Sequence, residues 1–217
     1  MFDAVIISGG NIEEDFALDF LEKNKGALLA AADGGLRFYD RNNLTPQLAV
    51  GDFDSVPEEL VQKFEQNGKT EVLRLCPQKD DADTQSLLKI LVSRGVRKCA
   101  LLGGTGTRLD HVFANLELLV YAKRQGCCLE LYDSHNRAAV ISSGEVLRRE
   151  QQFGKYVSFF PMGCEVTGLT LRGFRYPLTE HHLLASDGGL TVSNEIQDKE
   201  ARITFSSGTL LMIMSRD

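Results

Sequence analysis

The chain has 217 residues, 43% hydrophobic and 25% charged, a globular composition with apolar material for one large domain or two modest ones. Its net charge of −6, with no Lys/Arg cluster, excludes a general nucleic-acid binder. The start MFDAVIISGG has no basic leader, and no run approaches the roughly twenty apolar residues of a membrane span, so neither a signal peptide nor a membrane segment is expected.

The first predicted strand, 3–7, ends in Ser8-Gly9-Gly10, and the second, 27–32, ends in Asp33-Gly34-Gly35. The third, 47–50, runs into Gly51-Asp52-Phe53-Asp54-Ser55. There Ser55 and Glu58 have the spacing of a capping box, and Pro57 suits a first helical turn that has no use for its missing N–H. Asp52 and Asp54 are not explained by that cap. Two carboxylates in an apolar neighbourhood repel each other and lose solvation, which calls for a positive charge between them. The fourth strand, 70–75, leads to Lys79-Asp80-Asp81-Ala82-Asp83 and a helix over 81–94 with Leu87, Leu88, Leu91 and Val92 on one face. The fifth, 97–102, leads to Gly103-Gly104-Thr105-Gly106-Thr107-Arg108-Leu109-Asp110. A helix over 110–124 follows, with Val112, Phe113, Leu116, Leu119 and Val120 as its apolar set, and a sixth strand over 127–132. Strand–helix alternation of this kind implies a mostly parallel sheet with helices on both faces, over residues 1–135.

Past residue 135 the helical period vanishes. Short β-rich runs at 137–141, 156–160, 165–171, 189–193, 201–205 and 209–214, separated by glycine-containing turns, predict an all-β sandwich over 136–217. Cys76, Cys99, Cys127, Cys128 and Cys164 are odd in number and lack C-x-x-C spacing, so neither a disulfide framework nor a zinc site follows, and a reducing cytoplasmic compartment is expected.

In open α/β sheets ligands bind beyond the carboxyl ends of the strands. Singly, each loop has a bland reading: Gly-Gly makes a turn, and an aspartate at a helix start makes a cap. Together they bring at least four carboxylates, several glycines, Lys79 and Arg108 to one rim. Such a rim suits a hard divalent cation bridging to substrate phosphates, with close backbone N–H groups and basic side chains around a transferring phosphoryl group. No G-x-x-x-x-G-K-[ST] occurs, and Gly103–Gly106 departs from G-x-G-x-x-G, so neither a P-loop nor a dinucleotide site is expected. His111, His135, His181 and His182 lack metal spacing, and Ser8 is not in a G-x-S-x-G elbow. Two rivals remain from the residues alone: a Mg²⁺-dependent pyrophosphokinase for another alcohol such as a hydroxymethylpterin, and a non-enzymatic Ca²⁺-binding module.

ADGGLRFYD, GDFDS, KDDADTQ and LGGTGTRLDHVFANL, in this order, with GFRYPL and GLTVSNE in the second half, closely resemble the thiamine pyrophosphokinase family across essentially the whole chain. The resemblance implies Mg²⁺-dependent transfer of a pyrophosphoryl group from ATP to the thiamine hydroxyl, giving thiamine diphosphate and AMP. It implies a homodimer, with thiamine between one subunit's acidic rim and the other's sandwich. Carried onto this chain, Asp52, Asp54, Asp80 and Asp83 form the magnesium centre with Asp33 beside it, and Asp54 is favoured to orient or deprotonate the thiamine hydroxyl. Lys79 and Arg108 face the ATP phosphates. Ser8, Gly9, Gly10, Gly34, Gly103, Gly104 and Gly106 border the nucleotide. Asp110, Tyr176, Ser193 and Asn194 fall to thiamine. Some family members place a tryptophan where this chain, which has none, has Tyr176; a tyrosine still offers a π-face to a cationic ring.

Overall fold

Six strands build the sheet of the first unit: β1 (Ala4–Ile7), β2 (Leu28–Ala32), β3 (Leu48–Gly51), β4 (Glu71–Arg74), β5 (Lys98–Leu102) and β6 (Cys128–Tyr132). Every neighbouring pair is parallel, in the spatial order β6-β5-β1-β2-β3-β4. Continuous apolar runs such as AVII and LAVG are required because both faces of a parallel sheet are covered. In the computed structural model, which describes residues 1–76 and 81–217, this unit spans Met1–Ser134 and a second spans His135–Asp217.

The helices of the first unit are α1 (Glu14–Lys23), α2 (Leu36–Arg41), α3 (Glu58–Gln66), α4 (Asp83–Ser93) and α5 (Leu109–Arg124). Because side chains alternate along a strand, Val5 and Ile7 of β1 join Ala31 and Ala49 on one face, where Ala17 and Leu21 of α1, Phe38 and Tyr39 of α2, and Val61 and Phe64 of α3 pack on them. α4 packs on β2 and β3 through buried Leu87, Leu88 and Leu91, and α5 packs on β6 through Leu118, Leu119 and Ala122. The expected apolar stripe of α5 is corrected at its start: Phe113 is 59% exposed, and Leu109, one turn before it, is 80% exposed.

The second unit is antiparallel throughout. One sheet runs β12 (Asn194–Glu195), β9 (Tyr156–Pro161), β14 (Leu210–Ser215), β7 (Asn136–Ile141); the other runs β11 (Leu178–Leu183), β10 (Val166–Arg172), β13 (Glu200–Thr204), β8 (Glu145–Arg148). One core joins them: Phe159, Leu210, Met212 and Met214 from the first sheet pack with Leu169, Leu171, Ala201 and Ile203 from the second. This is the expected sandwich.

Three local expectations are corrected. The run 189–193 is a turn rather than a strand, closed by the Leu190 N–H on the Asp187 carbonyl, and pairing begins only at Asn194. β8 and β11 were not expected: EVLR is short, and LTEHHL carries its polarity inside the strand, with Glu180 in the left-handed region at φ +47°. The capping box does not form either. Pro57 stands just ahead of α3 with no side-chain cap, Glu58 pairs with Arg74, and the Ser55 hydroxyl is directed elsewhere.

Candidate active site

The strand order reverses at β1, which has β2 on one side and β5 on the other, so the ligand crevice expected of such a sheet falls beyond the carboxyl ends of β1 and β5. Ser8-Gly9-Gly10 follows β1 and Gly103–Gly106 follows β5, and these loops extend the pairing of their strands. Ser8 N–H donates to the Leu102 carbonyl (2.9 Å), Gly10 N–H to Gly103 (2.9 Å) and Asn11 N–H to Thr105 (2.7 Å). A Cβ on Gly10 would lie 2.2 Å from the Thr105 oxygen and 2.4 Å from that of Gly103. Gly10 is therefore fixed by the close approach of two backbones, and its N–H is taken by protein rather than turned to a ligand. Gly104 gives its carbonyl to the Asn115 amide (2.8 Å), and Gly9 lies against Gly34. The Ser8 hydroxyl lies 3.3 Å from that of Thr84 in the first turn of α4, tying the crevice to the helix that begins with Asp83.

Along the same edge, Asp33 after β2 and Asp52 and Asp54 after β3 each bring a carboxylate oxygen within 4.8 Å of the others. The backbone is bent to do this. Asp33 opens a short 3₁₀ turn at φ +43° and Phe53 sits at φ +58°, both uncommon for residues with a side chain. Gly51 makes room, because a Cβ there would lie 2.9 Å from the Asp33 Cα. The Asp52 carboxylate accepts the Asp54 N–H at 3.3 Å, and the Ser55 hydroxyl donates to Asp33 Oδ2 at 2.8 Å. Asp33 Oδ1 is buried with no hydrogen-bond partner. Burial pushes the Asp33 carboxyl above the usual carboxylate range; the charges of Asp83 and Asp52 push the same way, and the Ser55 and Gly34 hydrogen bonds oppose them without prevailing. Three convergent oxygen donors, one buried and unsatisfied, fit a hard divalent cation. Lys79 and Asp80 lie outside the described residues.

Arg108 stands at the N-cap position of α5, makes no side-chain cap there, and folds forward on Asp110, Nη2 to Oδ2 at 2.6 Å and Nε to Oδ1 at 3.2 Å. That fork lowers the Asp110 carboxyl to about 2, helped by the His111 N–H. A depressed carboxyl favours the folded form above its ordinary pKa and loses that contribution as pH falls toward the depressed value. In an NMR titration Asp110 should titrate near 2 and return toward 3.8 in Arg108→Ala.

In the second unit Tyr176 is 54% exposed, with the Arg175 guanidinium 5.4 Å from its ring centre. Asn194 is only 2% exposed. Its Oδ1 accepts the Tyr176 N–H at 3.0 Å and its Nδ2 donates to the Tyr176 carbonyl at 2.8 Å, so its amide is engaged by the main chain that carries the ring. Ser193, at φ +57°, gives its N–H to the Ser158 hydroxyl.

Residues 21–131 match the thiamin pyrophosphokinase catalytic domain, and 145–210 match the thiamin pyrophosphokinase vitamin B1 binding domain. The chain belongs to the thiamin pyrophosphokinase family. It is 29% identical over 174 residues to the thiamine pyrophosphokinase of Bacillus subtilis, covering 80% of each chain. Among solved structures, a thiamin pyrophosphokinase from Geobacillus thermodenitrificans is 31% identical, covers 99% of this chain and 97% of its own, and has a TM-score of 0.82. The Bacillus subtilis structure is 27% identical with 99% of both chains covered and a TM-score of 0.84. The yeast enzyme, at 16% identity and a TM-score of 0.81, shares the fold.

Within the thiamin pyrophosphokinase frame, the catalytic match takes in Asp33, Asp52, Asp54, Asp83, Arg108 and Asp110, and the second match takes in Tyr176, Ser193 and Asn194. Membership makes the chain a kinase-type transferase. Among the described residues no helix is long and apolar enough to cross a membrane. Sequence reasoning passed over Ser55, Arg37 and Thr84 as site residues. The only signal for Ser55 was its place in GDFDS, which the capping pattern explained equally well.

Proposed function

We propose that this chain transfers a pyrophosphoryl group from ATP to the hydroxyl of thiamine, releasing AMP and thiamine diphosphate, as an ATP-dependent diphosphotransferase that works as a homodimer with Mg²⁺. The observation that carries the reading is the convergence of Asp33, Asp52 and Asp54 within 4.8 Å beside the β1/β5 crevice. Asp33, Asp52 and Asp54, with Asp80 and Asp83, would hold the ion. When bound, Mg²⁺ supplies positive charge to the polyphosphate oxygens.

The chain's own residues do the rest. Ser8, Gly9, Gly34, Gly103, Gly104 and Gly106 line the nucleotide crevice, and Gly10 keeps its two walls together. Lys79 and Arg108 offset charge on the phosphates, Arg108 leaving Asp110 to do so. Asp54, exposed at the tip of its loop, orients the thiamine hydroxyl and takes its proton. The hydroxyl oxygen bonds to the β-phosphorus, the bond from that phosphorus to the α,β-bridging oxygen breaks, and AMP departs in line. Tyr176 offers its π-face to the thiazolium, with Asn194 holding the ring's backbone, Ser193 beside it, and Asp110 available to a cationic substrate.

A second copy supplies the thiamine-facing sandwich. The exposure of Leu109 and Phe113 on α5, and of Tyr176, Leu190 and Val192 in the second unit, supports a covering partner. The free state of Cys76, Cys99, Cys127, Cys128 and Cys164 supports a reducing, cytoplasmic compartment for this reaction.

The test is AMP release on incubation with ATP and Mg²⁺. Release with thiamine as acceptor, and none without it, is the expected result. Release only with a hydroxymethylpterin would overturn the substrate, and tight Ca²⁺ binding with no nucleotide binding would overturn the enzyme.

A further inference from the structure

Resting on that reading of the site, we propose that Ser55 and Arg37 are positioning residues for the cation: they fix the Asp33 carboxylate so that one oxygen is left to ligate. Three observations carry this. The Ser55 hydroxyl occupies Asp33 Oδ2 at 2.8 Å, while Oδ1 is buried and without a hydrogen-bond partner. Ser55 is itself gripped, because the Arg37 guanidinium donates to its carbonyl and the Val56 N–H closes the turn on the Phe53 carbonyl at 3.1 Å. Arg37 and Asp33 sit on one continuous segment, the 3₁₀ turn that runs into α2, so that segment holds the 52–56 loop at two points, one of them the carboxylate.

The backbone leaves little other freedom. Asp33 stands at φ +43° with the Gly51 backbone against it, so the main chain cannot swing to compensate. What remains free is rotation of the carboxylate about its own side-chain bonds, and the Ser55 hydrogen bond restrains it together with the Gly34 N–H. The same contact joins two of the three ligand-bearing loops, which explains why a Ser-x-x-Glu sequence forgoes its helix cap here. Outer partners of this kind typically change metal affinity by about 10–100-fold when removed.

The test is direct Mn²⁺ binding to the full-length protein, read by electron paramagnetic resonance without nucleotide or turnover. Ser55→Ala should bind Mn²⁺ about tenfold more weakly than the unaltered protein, with an unchanged far-UV circular dichroism spectrum. Ser55→Thr, which keeps the hydroxyl, should restore the affinity, and Arg37→Gln should weaken it less than Ser55→Ala does. Ser55→Ala binding as tightly as the parent, while Asp52→Asn loses the ion, would overturn the inference and leave the proposed function standing. Equal weakening by Ser55→Ala and Ser55→Thr would also overturn it, because the hydroxyl would then not be the cause. A folded parent that binds no Mn²⁺ would remove the cation site, and with it both readings.

Discussion

Asp54→Asn should lower turnover by about 10²-fold or more at saturating Mg²⁺ while leaving the folded protein at least as stable as before. The two effects separate because the residue sits where charge is needed for chemistry and unwelcome for folding. Asp33, Asp52 and Asp54 place three carboxylates within 4.8 Å, where burial and then the charges of Asp83 and Asp52 push the Asp33 carboxyl upward. Asp54 lies on an exposed loop ahead of α3 and belongs to no core cluster. Replacing its charge by a neutral amide of the same shape removes like-charge repulsion and costs no packing. Thermal melting without divalent cation should therefore give an unchanged or higher midpoint, and steady-state kinetics should give the loss. Near-native turnover would remove Asp54 from the mechanism, and a large fall in the midpoint would show that the loop is held by this carboxylate.

Gly10→Ala should act in the opposite way, destabilising the first unit by about 3 kcal/mol. The added methyl would meet two backbone oxygens, Thr105 at 2.2 Å and Gly103 at 2.4 Å, and neither is the far end of a flexible side chain. Relieving the contact means parting the β1 and β5 loops and breaking the Gly10–Gly103 and Asn11–Thr105 hydrogen bonds. Gly106→Ala, in the same glycine-rich loop, is the control. Its Cβ would come no nearer than 3.5 Å to any neighbour, so its stability should stay within about 0.5 kcal/mol of the parent in urea unfolding. Equal losses in the two variants would mean that the loop merely disfavours side chains, and that the crevice walls are not joined at Gly10.

The strands of the parallel sheet were legible because a strand covered on both faces must be apolar throughout, and AVII, LLAAA and LAVG have no other use. The rim was legible for a related reason: once the strands are placed, whatever follows them lies at one edge, so Asp33, Asp52 and Asp54 could be brought together without a structure. What stayed hidden depends on contacts between distant residues. Ser-x-x-Glu describes a capping box as well as it describes Ser55 reaching back to Asp33, and only the approach of two loops 22 residues apart decides between them. Gly10 was read as a donor to phosphate, because sequence cannot reveal that its N–H meets Gly103 first. β11 was missed since half-buried LTEHHL has no apolar run and is kinked at Glu180. Phe113 looked like core by spacing, yet the stripe that packs on β6 is set by Leu118, Leu119 and Ala122 further along α5.

The most direct measurement is the position of the metal. Crystals grown with Mn²⁺ and a non-hydrolysable ATP analogue, with data collected at the manganese edge, should show an anomalous peak about 2.1 Å from carboxylate oxygens of Asp33, Asp52 or Asp54 and bonded to phosphate oxygens in the β1/β5 crevice. A peak away from all three aspartates, with the nucleotide bound elsewhere on the chain, would contradict the assignment of this rim as the place where the pyrophosphoryl group is transferred.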